Sequence, residues 1–133
     1  MDLEAGMVGS AHAVVTPSDT AAAMGSGDVP VLATPRVIAL LEAATVDALS
    51  GALDPGLTTV GLHVDVEHLV AAPVGAIVTA EARLAEVDGR RLVFVVRLED
   101  DEGRLLASGR VRRAVVERER FLREVPPAQS ASS

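Results

Sequence analysis

The stretch Thr34-Pro35-Arg36-Val37-Ile38-Ala39-Leu40-Leu41-Glu42-Ala43-Ala44-Thr45-Val46-Asp47-Ala48 decides the fold. Thr34 is a good N-cap, and Pro35 fits the first helical position, where its missing N–H costs nothing. Val37, Leu41, Ala44, Ala48 and Ala52 recur at helical spacing, with Ile38, Thr45 and Leu49 beside them. The spacing predicts a buried helix of about five turns ending near Ser50-Gly51. Ahead of it, Met7 to Val15 reads as a strand, stopped by the turn residues Thr16-Pro17-Ser18-Asp19. Residues 18–30 are small, polar and glycine-containing, and read as a loop long enough to act as a lid. Behind the helix the pattern changes to period two. Val60, Leu62, Val64 and Val66 alternate with Gly61, His63, Asp65 and Glu67, and Val78, Ala80, Ala82 and Leu84 alternate with Thr79, Glu81, Arg83 and Ala85. Asp88-Gly89 is a hairpin signal, Leu92 to Leu98 the next strand, Asp101-Glu102-Gly103 a turn, and Leu105 to Arg120 a long last strand. One strand, one long apolar helix and four antiparallel strands make an α+β domain with the helix packed in the curl of the sheet.

The chain has 133 residues, the size of one domain, which is expected to span 1–125, with 126–133 (Pro-Pro-Ala-Gln-Ser-Ala-Ser-Ser) as a disordered tail. Hydrophobic residues make up 49% and mean hydropathy is +0.34, which excludes a disordered chain. No cysteine is present, so disulfides, thiolate nucleophiles and zinc–thiolate sites are excluded. No apolar run reaches the roughly 18 residues of a membrane helix. The acidic start Met1-Asp2-Leu3-Glu4 lacks the basic character of a signal peptide, so a cytoplasmic location away from membranes is expected. All 12 basic residues are arginine, which removes Schiff-base chemistry, and the only aromatics are Phe94 and Phe121. A net charge of −7 argues against nucleic acid. Residues 90–133 nevertheless hold 10 Arg against 7 acids, a local excess that suits a phosphorylated small molecule.

Three positions and one set of arginines could carry chemistry. Glu42 lies at the edge of the helix's apolar face beside Ile38 and Leu49, where a half-desolvated carboxylate suits a general base or nucleophile as well as an ordinary margin residue. His68 shares the inward parity of Val60, Leu62, Val64 and Val66, the place of either a satisfied core histidine or a catalytic one. Thr34 stands where free N–H groups and the positive end of the helix dipole suit a carbonyl oxygen gaining charge. About 12 Å of helix rise separates Thr34 from Glu42, so a symmetric dimer is the way to bring both to one substrate. The arginines at 110, 112, 113, 118, 120 and 123 protect an edge strand or recognise phosphate. His63, Asp65 and Glu67 share the outward face and read as a solvated surface, so no metal is expected there.

The segment Ala33-Thr34-Pro35-Arg36-Val37-Ile38-Ala39-Leu40-Leu41-Glu42-Ala43-Ala44 resembles the helix motif of the fluoroacetyl-CoA thioesterase family of hotdog proteins, with Thr at the helix start and Glu eight residues on. Gly61, His68 and Ala71-Ala72-Pro73-Val74-Gly75 are similar to the family's second motif. Gly89-Arg90-Arg91-Leu92 and Arg113-Ala114-Val115-Val116 through Phe121 extend the likeness over residues 7 to 124. The resemblance implies a hotdog fold that pairs into a homodimer or higher homo-oligomer. It also implies hydrolysis of short-chain acyl-CoA thioesters with no metal or cofactor, coenzyme A being part of the substrate. By position it implies Thr34, Glu42 and His68 as catalytic residues: Glu42 to attack the thioester or activate water, His68 to shuttle the proton, Thr34 to position the carbonyl. Gly61 would let backbone approach the substrate, and Arg113 would contact it. Because Pro35 has no N–H, Arg36 or Val37 N–H would have to hold the thioester carbonyl. The alternative is a non-catalytic acyl-CoA-binding hotdog module that makes no use of Glu42. A hydratase is a third reading, without a second inward carboxylate–histidine pair on one helix to favour it.

Overall fold

A computed structural model describes residues 2–129. The chain runs β1 (Val8–Val14), a 3-10 turn (Pro17–Asp19), α1 (Ala21–Met24), α2 (Thr34–Ala48), β2 (Leu57–His68), β3 (Ile77–Asp88), β4 (Arg91–Asp100), β5 (Leu105–Glu117) and α3 (Arg118–Arg123). The five strands form one antiparallel sheet in the order β1-β3-β4-β5-β2, which curls around α2 in the hotdog arrangement that the resemblance implies. Val37, Leu40, Leu41, Ala44, Thr45 and Ala48 form the buried stripe of α2. They pack on Val78, Ala80, Ala82 and Leu84 of β3 and Leu92, Phe94, Val96 and Leu98 of β4, all at most 1% exposed. Period 3.6 meeting period 2 in this way makes the core.

Small residues let β1 approach the helix. Gly9 faces Ala44 and Ala48 so closely that a Cβ there would overlap the Ala48 backbone, and Ser10 N–H donates to Asp47 Oδ2 at 2.8 Å. Between β3 and β4, Gly89 takes a positive φ of 59° at the first turn position, where a tight hairpin needs it.

Three expectations change. The helix has 15 residues, about four turns, because Leu49 is its C-cap and Ala52 lies in the turn beyond. The last strand stops at Glu117, and residues 118–123 wind into a short exposed helix with Phe121 38% and Leu122 62% exposed. The loop of residues 18–30 contains α1, capped by Thr20 Oγ1 on Ala23 N–H and closed by Gly25 at φ 72°. Residues 126–129 are exposed and carry no helix or strand, and the expected tail at 130–133 lies outside the described residues. Among the described residues no helix is long and apolar enough to cross a membrane.

Candidate functional site

Thr34 is the first residue of α2, not its cap. Ala33 occupies the cap position, and no side chain caps the helix. The Thr34 hydroxyl is therefore free for another partner, and it lies 2.8 Å from His68 Nδ1. His68 is the last residue of β2, so the helix start and the strand end bring together two residues 34 positions apart. His68 Nε2 is buried and, among the described residues, is the one buried side-chain polar atom with no hydrogen-bond partner. A hydroxyl and an imidazole at hydrogen-bond distance form the arrangement in which a weak oxygen nucleophile is activated.

The helix N-terminus keeps one of the two expected donors. Val37 N–H bonds to Ala33 O at 3.0 Å, closing the first turn, whereas Arg36 N–H takes no hydrogen bond among the described residues. The Arg36 side chain turns back to residues 18–30, the proposed lid, where Nε donates to Asp19 Oδ1 at 3.0 Å. Asp19 Oδ2 also accepts from the Thr16 N–H (2.8 Å) and hydroxyl (2.9 Å). These Thr16 bonds first, then the Arg36 charge, hold the Asp19 carboxyl below its usual range. The segment is tied at its base by Ala33 N–H to Asp19 O, Leu32 N–H to Ala72 O and the Thr20–Leu32 bridge.

The second half of the site depends on an irregularity that alternation alone does not reveal. Between Gly61 and His63 the register of β2 against β5 shifts, leaving Leu62 as a bulge, 49% exposed. An extra residue reverses the parity of a strand. Val64, Val66 and His68 keep the face expected of them, but ahead of the bulge the inward residues are Gly61 and Thr59. Val60 and Leu62, which strict alternation places inward, do not share that face. Gly61 thus sits opposite Glu42, and a Cβ there would stand 2.8 Å from Glu42 Oε2. Glu42 Oε2 accepts from Arg113 Nη1 at 3.0 Å, with the Glu42 side chain 36% exposed and that of Arg113 8%. Arg113 therefore lies inside the sheet, not on the outer face with Arg110 and Arg112. The signal for this was present: Arg113 shares parity with buried Val111 and Val115.

Two clusters result, Thr34–His68 and Glu42–Arg113–Gly61, separated by about 12 Å of helix rise. His63 and Asp65 pair across the sheet with Arg112 and Arg110 on the outer face. Among the described residues, no group of three or more His, Cys, Asp or Glu side chains could hold a metal ion.

The family described as fluoroacetyl-CoA-specific thioesterase matches residues 15–119. The fluoroacetyl-CoA thioesterase of Streptantibioticus cattleyicolor is 39% identical over 103 residues, 74% of this chain and 72% of that protein. A crystal structure of a single-residue variant of the fluoroacetyl-CoA-specific thioesterase, in complex with fluoroacetate and CoA, is similar at a TM-score of 0.82 and 32% identity, covering 90% of this chain and 99% of that one. A thioesterase superfamily member from Thermus thermophilus reaches a TM-score of 0.85 at 26% identity, over 92% of this chain and 90% of that one.

Proposed function

The chain belongs to the fluoroacetyl-CoA-specific thioesterase family and is an acyl-CoA thioester hydrolase, and we propose that it cleaves short-chain acyl-CoA with Thr34, His68 and Glu42 as its catalytic residues. One observation carries the assignment: Thr34 Oγ1 and His68 Nδ1 are 2.8 Å apart. His68 Nδ1 takes the hydroxyl proton as Thr34 Oγ1 attacks the thioester carbonyl carbon. The new C–O bond forms, the C–S bond breaks, and the imidazolium returns its proton to the departing thiolate. The Arg36 N–H at the helix start faces the oxygen that gains charge. Water then attacks the acyl carbon as the Glu42 carboxylate takes one of its protons; the bond from that carbon to Thr34 Oγ1 breaks, the proton passes to Thr34 Oγ1 and restores the hydroxyl, and the carboxylic acid leaves.

The separation of the two clusters supports a homodimer as the working unit, in which the Glu42 half of one copy meets the Thr34–His68 half of the other. β2 ends the sheet and pairs with β5 alone, so its other edge is open to the same strand of a second copy, which also supports pairing there. None of these steps calls for a metal or a bound cofactor. A cytoplasmic location is part of this proposal, and an acyl-CoA substrate supports it.

Free-thiol release from acetyl-, fluoroacetyl-, propionyl- and butyryl-CoA tests the reading. Release of one thiol per acyl-CoA consumed is expected. Saturable binding of acyl-CoA with no release would mean the non-catalytic module instead.

A further inference from the structure

We infer that Arg113 is a positioning residue, aiming the Glu42 carboxylate through Nη1, and that Gly61 supplies the gap in which this ion pair fits. The inference rests on the thioesterase reading above and identifies what orients one of its groups. Arg113 is the one charged residue among those described that is buried, at 7% exposure. A buried charge is tolerated only when its donors are met.

The way these donors are met is directional. Nε donates to Thr59 Oγ1 at 3.0 Å, Nη2 to the Thr59 carbonyl at 3.2 Å, and Nη1 to Glu42 Oε2 at 3.0 Å. The guanidinium is a rigid plane, so two bonds to one residue of β2 fix the direction of the third. That third bond holds a glutamate which sits on the helix margin, is 36% exposed and would otherwise choose among several rotamers. Only Oε2 is engaged, so the pair leaves Oε1 for the water to be deprotonated.

Gly61 is the cross-strand register partner of Arg113. A Cβ at 61 would lie 2.8 Å from Glu42 Oε2 and 3.6 Å from Arg113 Nη1. It would displace the carboxylate while leaving the arginine in ordinary contact. The bulge at Leu62 is what turns this glycine inward. Bulge, glycine and buried arginine thus form one device with a single output, the orientation of Glu42.

The experiment is a double-substitution cycle in thiol release, using the full chain and acetyl-CoA. Arg113→Gln should lower kcat about 10²-fold with KM changed by less than about threefold, the pattern of a lost transition-state group and not of a lost substrate contact. In a Glu42→Gln background the same substitution should cost less than about threefold more, because the group it serves is already gone. Gly61→Ala guards against a misfolded Arg113 variant: it meets the far end of a flexible side chain, so it should keep the melting temperature while lowering kcat at least about tenfold. A rise in KM at constant kcat in Arg113→Gln, full additivity with Glu42→Gln, or wild-type kcat in Gly61→Ala overturns the inference. An inactive wild type ends the thioesterase reading and this inference together, whereas an active wild type with additive losses ends the inference alone.

Discussion

Strands β2 and β3 are both twelve residues long, yet they behave differently. β3 lies inside the sheet between β1 and β4, and its inward residues Val78, Ala80, Ala82 and Leu84 are all 0% exposed. β2 is an edge strand paired only with β5. Its inward residues Val64, Val66 and His68 are half-buried, and its register shift between Gly61 and His63 falls in the middle of the strand, whereas that of β3, between Leu84 and Glu86, comes only after its four buried inward residues. An interior strand must fill the core at crystalline density, so its face is dictated by packing. An edge strand is freed from part of that demand. It can hold a glycine where a carboxylate must pass and a histidine where a hydroxyl must be met. The proposed chemistry draws on the strand that the core constrains less.

The largest effects should separate these two strands by kind. Leu84→Ala on β3 should cost about 2–5 kcal/mol, the penalty for an unfilled core cavity. It should show as a lower midpoint in urea, with the folded fraction retaining its specific activity. His68→Ala on β2 should do the opposite, lowering turnover about 10²-fold or more while the midpoint barely moves. If Leu84→Ala leaves stability intact, or His68→Ala unfolds the chain, the division between the strands collapses.

Within β2 itself, the two histidines sharpen the contrast. His63 and His68 lie on opposite faces after the bulge, and His12 on β1 pairs with Thr79 on the outer face at 3.0 Å. His63→Ala and His12→Ala should leave kcat unchanged, against the about 10²-fold loss at 68. Thr34→Ala should approach the loss at His68, and Thr34→Ser should cost little, since a hydroxyl at that position is what His68 Nδ1 meets.

The same contrast explains what could be read in advance. Helix α2, and the alternation of β3 and β4, are governed by burial, and burial is written in periodicity: Val37, Leu41 and Ala44 on one side, Val78 to Leu84 and Leu92 to Leu98 on the other. Thr34, Glu42 and His68 stood out because polar groups on apolar elements are conspicuous. Their pairing did not. A bulge is a cooperative property of two strands, so nothing in Val60-Gly61-Leu62 announces the reversal of parity that puts Gly61 inside and Leu62 outside. Thr34 is a good cap by type, yet the chain starts its helix one residue earlier and releases the hydroxyl for His68. Arg113 has the same side chain as its neighbours, which read equally as edge protection or phosphate recognition, but its parity sends it to Glu42 instead.

A smaller effect belongs to the joint between the lid and the helix. Asp19 has its pKa lowered below the ordinary 3.8 by Thr16 and Arg36. A depressed carboxyl contributes stability that is present above its unfolded pKa and is lost as pH falls through the folded one. Asp19→Asn should therefore destabilise by about 1 kcal/mol at pH 7, the scale of partly exposed charged hydrogen bonds. The gap between variant and wild type should close at acid pH below the folded value. Thermal melts at both pH values measure it, and a gap that persists in acid would assign the effect to something other than ionised Asp19.

The smallest effect expected is discrimination among acyl groups, and it follows from how the lid is held. Its base is fixed by the Asp19–Arg36 pair, the Thr20–Leu32 bridge and Leu32 N–H to Ala72 O. Its tip, residues 22–30, is exposed throughout, with Met24 at 44% and Val29 at 49%, and is held by bonds inside the segment, Ala22 N–H to Val29 O at 3.1 Å and Ser26 N–H to Ala21 O at 3.0 Å. No residue from 18 to 33 is aromatic, and both phenylalanines lie elsewhere, Phe94 in the core and Phe121 on α3. Selecting one tiny acyl group requires walls that do not yield, because a single methylene in a hydrophobic pocket is worth only about 1–3 kcal/mol. A tip of mostly small residues around one short helix, with Met24 and Val29 exposed and not packed, yields more readily than a packed aromatic wall. Successive members of the series acetyl-, propionyl-, butyryl- and hexanoyl-CoA should then differ in kcat/KM by amounts near the low end of that range. Fluoroacetyl-CoA differs from acetyl-CoA by one fluorine in place of hydrogen, a smaller change in volume than a methylene, so their ratio should be modest as well. A preference for fluoroacetyl over acetyl beyond about 10³-fold would exceed what such a lid can supply. It would move the source of selectivity from this segment to the inner face of the sheet, where buried Arg113 meets Glu42 on the margin of α2.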